Sequence, residues 1–278
     1  MSEKRNSMLC PRCRKLISRD EEVCPYCGVK RPGRRLPNLL ARWSATPGEI
    51  VRPLIIVNVI FYIITLLIAP IHFGGLHNPL GFLAPGNRSL LVMGATGVIP
   101  VFQLQRWWTL LSASFLHGSL LHLMFNMVAL NQLGRLSAEI FGLHRFLIIY
   151  IISGIIGFYL SILAGIMLTI GASASLCGLI GALLYYGKSR GGEFGSMVVQ
   201  QVRGWIIGLV LIGLFLPSIN NWGHGGGLLG GLALAALLGY PERHPTKMLV
   251  RNMAVMVVVF SVAVLGWDLF QAAIMVWS

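Results

Sequence analysis

Seven apolar stretches run through this chain of 278 residues, at about 53–70, 109–133, 146–166, 173–187, 204–219, 224–240 and 252–277. Each comes near the ~20 apolar residues that a helix needs to cross a bilayer. Only 11% of the residues are charged and 55% are hydrophobic. Soluble domains carry about 25% charged residues, so this chain cannot clothe a water-soluble globule. The same numbers exclude a disordered chain, a collagen and a coiled coil. Backbone groups in lipid must pair within their own segment, so the stretches read as helices rather than open strands. The fourth and sixth are short and glycine-rich, which suits helices enclosed by their neighbours.

The chain carries 22 Lys and Arg against 9 Asp and Glu. Such an excess can serve nucleic acid or an acidic membrane, but its placement follows a bilayer. Positive residues collect in cytoplasmic connections. With the basic N-terminus inside, the inner connections hold Arg135 and Arg145, then Lys188, Arg190 and Arg203, then Arg243, Lys247 and Arg251. The outer side holds only Arg88 and Arg106, both in the long first loop at about 71–108. The expectation is a multi-pass protein of a bacterial-type plasma membrane, with its N-terminus in the cytoplasm, its C-terminus outside and no nucleic-acid partner. The first loop carries Phe73, Phe82, Leu83, Leu90, Leu91 and Val92. It is expected to pack on the protein or dip into the interface.

The first thirty residues have a different character. Cys10-Pro-Arg-Cys13 and Cys24-Pro-Tyr-Cys27-Gly28 are two paired knuckles. Four thiolates at this spacing can close a tetrahedral, structural zinc site. Metal binding would supply most of the folding energy of so small a segment. Two disulfides or a redox pair are the alternatives, and a cytoplasmic location disfavours disulfides. The second knuckle also resembles those of zinc ribbons, whereas the first has Arg14 where glycine is usual. Arg31-Pro-Gly-Arg-Arg-Leu-Pro37 reads as a linker.

Polar side chains inside apolar stretches are costly and point to function. The second stretch holds His117, His122 and Asn126, the last two on one helix face. The fourth opens at Gly171-Ala172-Ser173, followed by Gly178 and Gly181. The sixth opens near His224, with Gly227 and Gly231 on the same face. Small faces let two helices approach closely and hold Ser173 and His224 at one depth, as a nucleophile and its base. Glu139 and Glu242 fall at the cytoplasmic side and Asp268 in the last stretch, so a dyad is favoured over a triad. His122, Asn126 and the Ser173 N–H can then serve an oxyanion. Spacing alone leaves two readings open: an intramembrane hydrolase, or an ion or metal transporter using His117, His122 and His224.

In these motifs the chain resembles the rhomboid intramembrane serine proteases, over roughly residues 50–245. The family's His-x-x-x-x-His-x-x-x-Asn pattern is matched by His117, His122 and Asn126. Its serine motif is matched by Gly171, Ser173 and Gly181, and its later histidine motif by His224, Gly227 and Gly231. Arg145 to Tyr150, with Ser153 and Gly154, resembles the start of the family's third helix. The resemblance implies an all-α, polytopic, six-helix core plus one C-terminal membrane helix. The division would be a zinc-ribbon-like segment at 1–30, a basic linker at 31–50, a protease core at 51–245 and the additional helix at 246–278.

The resemblance also implies hydrolysis of transmembrane protein substrates near the outer face, with no cofactor for the chemistry. Ser173 would be the nucleophile and His224 the general base. His122 and Asn126 would serve the oxyanion, with His117, Gly171, Gly181, Gly227 and Gly231 in support. Structural zinc would sit on Cys10, Cys13, Cys24 and Cys27, and the ribbon would face a cytoplasmic partner. A rhomboid-fold binder that handles membrane clients without cutting them is the alternative. Four positions depart from the family pattern. Ala174 stands for a glycine and Gly223 for an alanine. Cys177 stands where some members place a tyrosine against the histidine. Thr109 stands where an arginine is expected after Trp107-Trp108, which leaves open how the first loop is anchored.

Overall fold

The structure, a computed structural model, describes residues 7–29 apart from 11, 12, 14 and 19, then 46–68, 81–216, 219–244 and 246–277. Most of the expected linker, and Phe73 of the first loop, lie outside the described residues. The described chain folds into helices α1 (Pro47–Ile68), α2 (Asn87–Val92), α3 (Thr109–Ser112), α4 (Leu120–Leu163), α5 (Ser173–Arg190), α6 (Gly192–Phe215), α7 (Asn221–Leu238) and α8 (Met248–Trp277). Within α4, Gly142 adopts φ 73 and ψ 166, which breaks the helix into arms of 120–141 and 143–163. With the two arms counted separately, the long helices correspond one to one with the apolar stretches. With α4 taken whole, α1, α4, α6 and α8 are long and apolar enough to cross a membrane on those grounds alone.

The boundaries differ from expectation in three instructive places. The stretch at 109–133 is not one helix. Its helix starts at Leu120, because Ser119 is extended and its Oγ accepts from His122 N at 3.2 Å, a serine N-cap. The preceding residues coil as α3 and a 3-10 turn at Ala113–Phe115, so His117 precedes the helix rather than riding on it. The stretch expected at 204–219 begins much earlier, at Gly192. Gly191 and Gly192 both take φ +67, the reversal between α5 and α6.

Arg145 is the third difference. Counted among the inner connections and also matched to the start of the third helix, it lies in the second arm of α4 and is buried. Its guanidinium donates to Leu238 O at 3.1 Å, His244 O at 2.7 Å and Thr246 Oγ1 at 2.8 Å. Leu238 ends α7, so one fixed cation satisfies carbonyls that a helix terminus leaves open.

The centre of the bundle is α5, α7 and the second arm of α4. A Cβ at Gly227 would run into the Ala174 carbonyl, at Gly231 into that of Gly178, and at Gly157 into that of Gly223. The backbones themselves therefore touch. The Ala174–Gly227 and Gly178–Gly231 contacts advance four residues on both helices, so α5 and α7 run parallel and start together. Lipid supplies no hydrophobic drive between helices, and close contact of small residues takes its place. The first loop packs on the bundle as expected, with Leu90, Val92, Met93 and Val101 buried, although Phe82 stays exposed. α8 packs against α4, α3 and α2.

A side chain wedged between α5 and α7 must push them apart. Gly231→Val is expected to cost about 3 kcal/mol or more and to lower the unfolding temperature of the purified protein in detergent. Gly266→Val, where a Cβ meets nothing within 4 Å, is the control that should match wild type. Equal unfolding temperatures for the two variants would contradict the backbone contact.

Candidate active site

Ser173 is the first residue of α5, and His224 lies in the first turn of α7. Because the two helices are parallel and start together, the side chains meet: Ser173 Oγ is 2.9 Å from His224 Nε2. Ser173 is half-buried. His224 Nδ1 is buried and has no hydrogen-bond partner among the described residues. Among the described residues no carboxylate therefore orients this imidazole from behind. When Nδ1 carries the ring proton, Nε2 is free to accept from the serine hydroxyl.

His122 stands on the other side of the serine turn. Its Nδ1 accepts from Gly118 N at 3.3 Å, which leaves Nε2 to carry the proton of a neutral ring. Gly171 has φ +121, and a Cβ there would sit 2.9 Å from His122 Cε1 and Nε2 and 3.7 Å from Ser173 Oγ. Only glycine fits this position, on both conformational and steric grounds. The donor end of His122 thus points into the turn that leads to Ser173. Asn126, one turn further along α4, donates from Nδ2 to His122 O at 2.8 Å. Its amide has a second N–H to offer. His117 is fully buried and packs edge-on against His122, with ring centroids 5.1 Å apart, so it supports that ring from outside the helix.

The segment 166–171 that delivers Ser173 is held on three sides. Gly171 N donates to Ala113 O at 2.9 Å. Thr169 exchanges backbone hydrogen bonds with Thr96 of the first loop, at 2.7 and 3.1 Å. Asn220 makes the third tie. Its Oδ1 caps α7 by accepting from Gly223 N at 2.9 Å, while its Nδ2 donates to Ser161 Oγ at 2.8 Å and Thr169 Oγ1 at 2.9 Å. One amide thereby links the start of the histidine helix to the serine segment. The sequence reading missed Asn220, although an Asn just ahead of a helical run is a cap signal.

Two of the departures, Thr109 and Cys177, have a visible local setting. Thr109 is buried, and its Oγ1 donates to Arg106 O at 2.7 Å and lies 3.1 Å from Thr96 Oγ1. Arg106, three residues earlier, donates from Nη1 to Leu91 O at 2.8 Å and so anchors the loop from within. Cys177 leaves room beside the histidine. A cavity of about 300 Å³ is lined there by Cys177, His224 and Leu228 with Ile206, Leu209 and Val210 of α6.

The cysteines form a separate centre. β1 (Ser7–Leu9) and β2 (Leu16–Ser18) pair antiparallel, and Gly28 takes φ +70 as its N–H bonds Cys24 O at 2.9 Å. The Sγ atoms of Cys10, Cys13, Cys24 and Cys27 all lie within 4.8 Å of one another and can hold a metal ion. None of the four is in a disulfide.

The chain is similar to known proteins over much of its helical part. Residues 104–241 match the family model described as Rhomboid domain. The Rhomboid protease GluP of Bacillus subtilis is 37% identical over 140 residues, 49% of this chain and 27% of that protein. RHOMBOID-like protein 4 of Arabidopsis thaliana is 35% identical over 168 residues, 59% of this chain and 40% of the relative. Rhomboid-like protease 3 of Toxoplasma gondii is 30% identical over 154 residues, 54% of this chain and 58% of the relative. The chain thus spans between about a quarter and three fifths of these relatives' lengths.

Asn220→Ala removes an N-cap worth about 1 kcal/mol and donors worth about 1 kcal/mol more. It is expected to lose roughly the sum in detergent unfolding. Asn220→Asp keeps the cap acceptor and should recover about half. A variant Asn220→Ala as stable as wild type would refute the tie.

Proposed function

The chain is a rhomboid-family protein, and from that premise we propose that it is an intramembrane serine endopeptidase that cleaves transmembrane protein substrates. The observation that carries this reading is the 2.9 Å separation of Ser173 Oγ and His224 Nε2. His224 takes the hydroxyl proton as Ser173 attacks the scissile carbonyl to give a tetrahedral intermediate. His224 passes that proton to the amine nitrogen as the C–N bond breaks, which leaves the acyl-enzyme. Water then attacks the ester while giving a proton to His224 Nε2, and His224 returns the proton to Ser173 Oγ as the acid is released.

The negative oxygen of each tetrahedral intermediate is met by the Ser173 N–H, at a helix start where N–H groups lack intrahelical partners. His122 Nε2–H and the spare N–H of Asn126 add to it. His117, Gly171, Gly181, Gly227 and Gly231 hold the helices and rings in place. A substrate segment reaches the dyad sideways. Along α6 only Gly195, Val198 and Val202 are buried, so its later half is weakly held. The apolar cavity between it and His224 suits a substrate side chain.

The orientation we assign follows the positive charges: N-terminus in the cytoplasm, Ser173 opening to the outer side and C-terminus outside, in a bacterial-type plasma membrane. The protease core spans 51–245, with a metal-binding segment at 1–30, a linker at 31–50 and an added helix at 246–278. Zinc suits the four thiols. Tetrahedral bonds of ~2.3 Å require sulfur separations of about 3.8 Å. Cys10 and Cys27 are 3.6 Å apart, and Cys13 and Cys24 are 3.7 Å apart. Such a closed site serves folding, and the segment would dock a cytoplasmic partner.

Purified protein in liposomes should cleave a reporter membrane substrate. Ser173→Ala and His224→Ala should each lower the rate at least about 1,000-fold while remaining monodisperse. Activity that persists in either variant would remove that residue from the mechanism. Failure of wild type to react with a serine-directed fluorophosphonate would favour a non-cutting binder of membrane clients.

The metal assignment has its own test. Elemental analysis should find about one zinc per chain, lost in Cys10→Ser with Cys24→Ser. Protein that carries no zinc after expression with ample metal would refute the assignment.

A further inference from the structure

Asp268 lies in α8, among apolar residues, and is completely buried. An acid at such a place is costly unless it is used. Its Oδ1 accepts from Trp108 Nε1 at 2.8 Å, across 160 residues of chain. Trp267 packs edge-on against the Trp108 ring at 6.2 Å, and the Arg106 guanidinium lies 5.7 Å from that ring on another side. Behind the bond, Gly94 takes φ +99 in a space where a side chain would overlap Ser112 Oγ and Asp268 Oδ2. The carboxyl is thus fitted to the first loop.

Two short paths run from this bond to the serine. Trp108 O accepts from Leu111 N at 3.0 Å, within the turn of α3, and the next turn brings Ala113 O to Gly171 N at 2.9 Å. Gly171 is two residues before Ser173. On the other path, Ser112 Oγ donates to Gly94 O at 3.1 Å, and two residues beyond Gly94 the backbone of Thr96 pairs with that of Thr169. Both paths end on the segment that delivers Ser173, and neither passes through α5 or α7.

We propose that Asp268 is a positioning residue: through Trp108 and α3 it sets the place of the Gly171–Ser173 turn against His224. The added helix α8 is then part of the active-site frame rather than a membrane anchor. The proposal rests on Ser173 being the nucleophile. Asp268 touches neither substrate nor reacting atoms. It fixes a polar bond in a low-dielectric setting, where such a bond is electrostatically strong, and among the described residues this is the side-chain hydrogen bond that joins α8 to the first loop.

The test uses full-length protein in liposomes and compares wild type with Asp268→Ala, Asp268→Asn, Trp108→Phe and the double variant Asp268→Ala with Trp108→Phe. Three quantities are read: kcat and KM for a membrane reporter, the rate of fluorophosphonate labelling of Ser173, and the unfolding temperature. Small displacements of reacting groups cost rate, up to about 100-fold for 1 Å. Asp268→Ala and Trp108→Phe should each lower kcat and labelling about tenfold, with KM within about twofold.

The double variant should be no worse than either single one, because both remove the same bond. Asp268→Asn still offers Oδ1 to Trp108 and should stay within about threefold of wild type. Wild-type labelling in Asp268→Ala, a loss confined to KM, or an Asp268→Asn as slow as Asp268→Ala would each overturn the proposal. Where Asp268→Ala does not purify folded, Trp108→Phe and Asp268→Asn decide between the same outcomes. If wild type itself is not labelled, the protease reading falls first and this inference with it. Labelled wild type beside unaffected variants defeats this inference alone.

Discussion

The contact of α5 with α7 through bare backbone is the constraint on which the site depends. Gly227 and Gly231 lie against the carbonyls of Ala174 and Gly178, with no side chain between them. In a bilayer this intimacy replaces the expulsion of water that would drive packing in a soluble core. It also fixes the distance between the starts of the two helices. Ser173 and His224 each project from a first turn, so helix spacing sets the range within which they can reach one another. The second arm of α4 completes the arrangement, because Gly157 admits the carbonyl of Gly223.

The first loop is scaffold rather than covering. Buried Leu90, Met93 and Val101 seat it on the bundle, and Arg106 closes it on the Leu91 carbonyl. From that base Thr96 and Ala113 hold the segment ahead of Ser173. The glycine-mediated contact positions the helices, and the loop positions the turn at the head of one of them. Asn220 joins the two systems, with Thr169 on one side and the cap of α7 on the other.

Much of this was legible in the sequence, for identifiable reasons. Apolar length marked the long helices, and glycine spacing marked the two enclosed ones. Ser173 and His224 could be paired because both open glycine-rich runs, and the four cysteines because their knuckles repeat. Hydropathy could not place the start of α4, since residues 109–116 are apolar yet turned. The decisive signal there was Ser119, three residues before His122. The burial of Arg145 could not be read, because a cation in a loop and one buried on carbonyls look alike in sequence. Asp268 and Trp108 lie too far apart for any local period to join them, and the two donor bonds of Asn220 were equally invisible.

The parallel course of α5 and α7 has an electrostatic consequence. Each helix carries roughly half a positive elementary charge at its N-terminal end. Parallel neighbours place those ends side by side, which is unfavourable in itself and is tolerated because glycine permits the close approach. Ser173 and His224 occupy these two ends. Any oxygen that gains negative charge beside Ser173 therefore sits in the field of two macrodipoles, a field the fold establishes before anything binds.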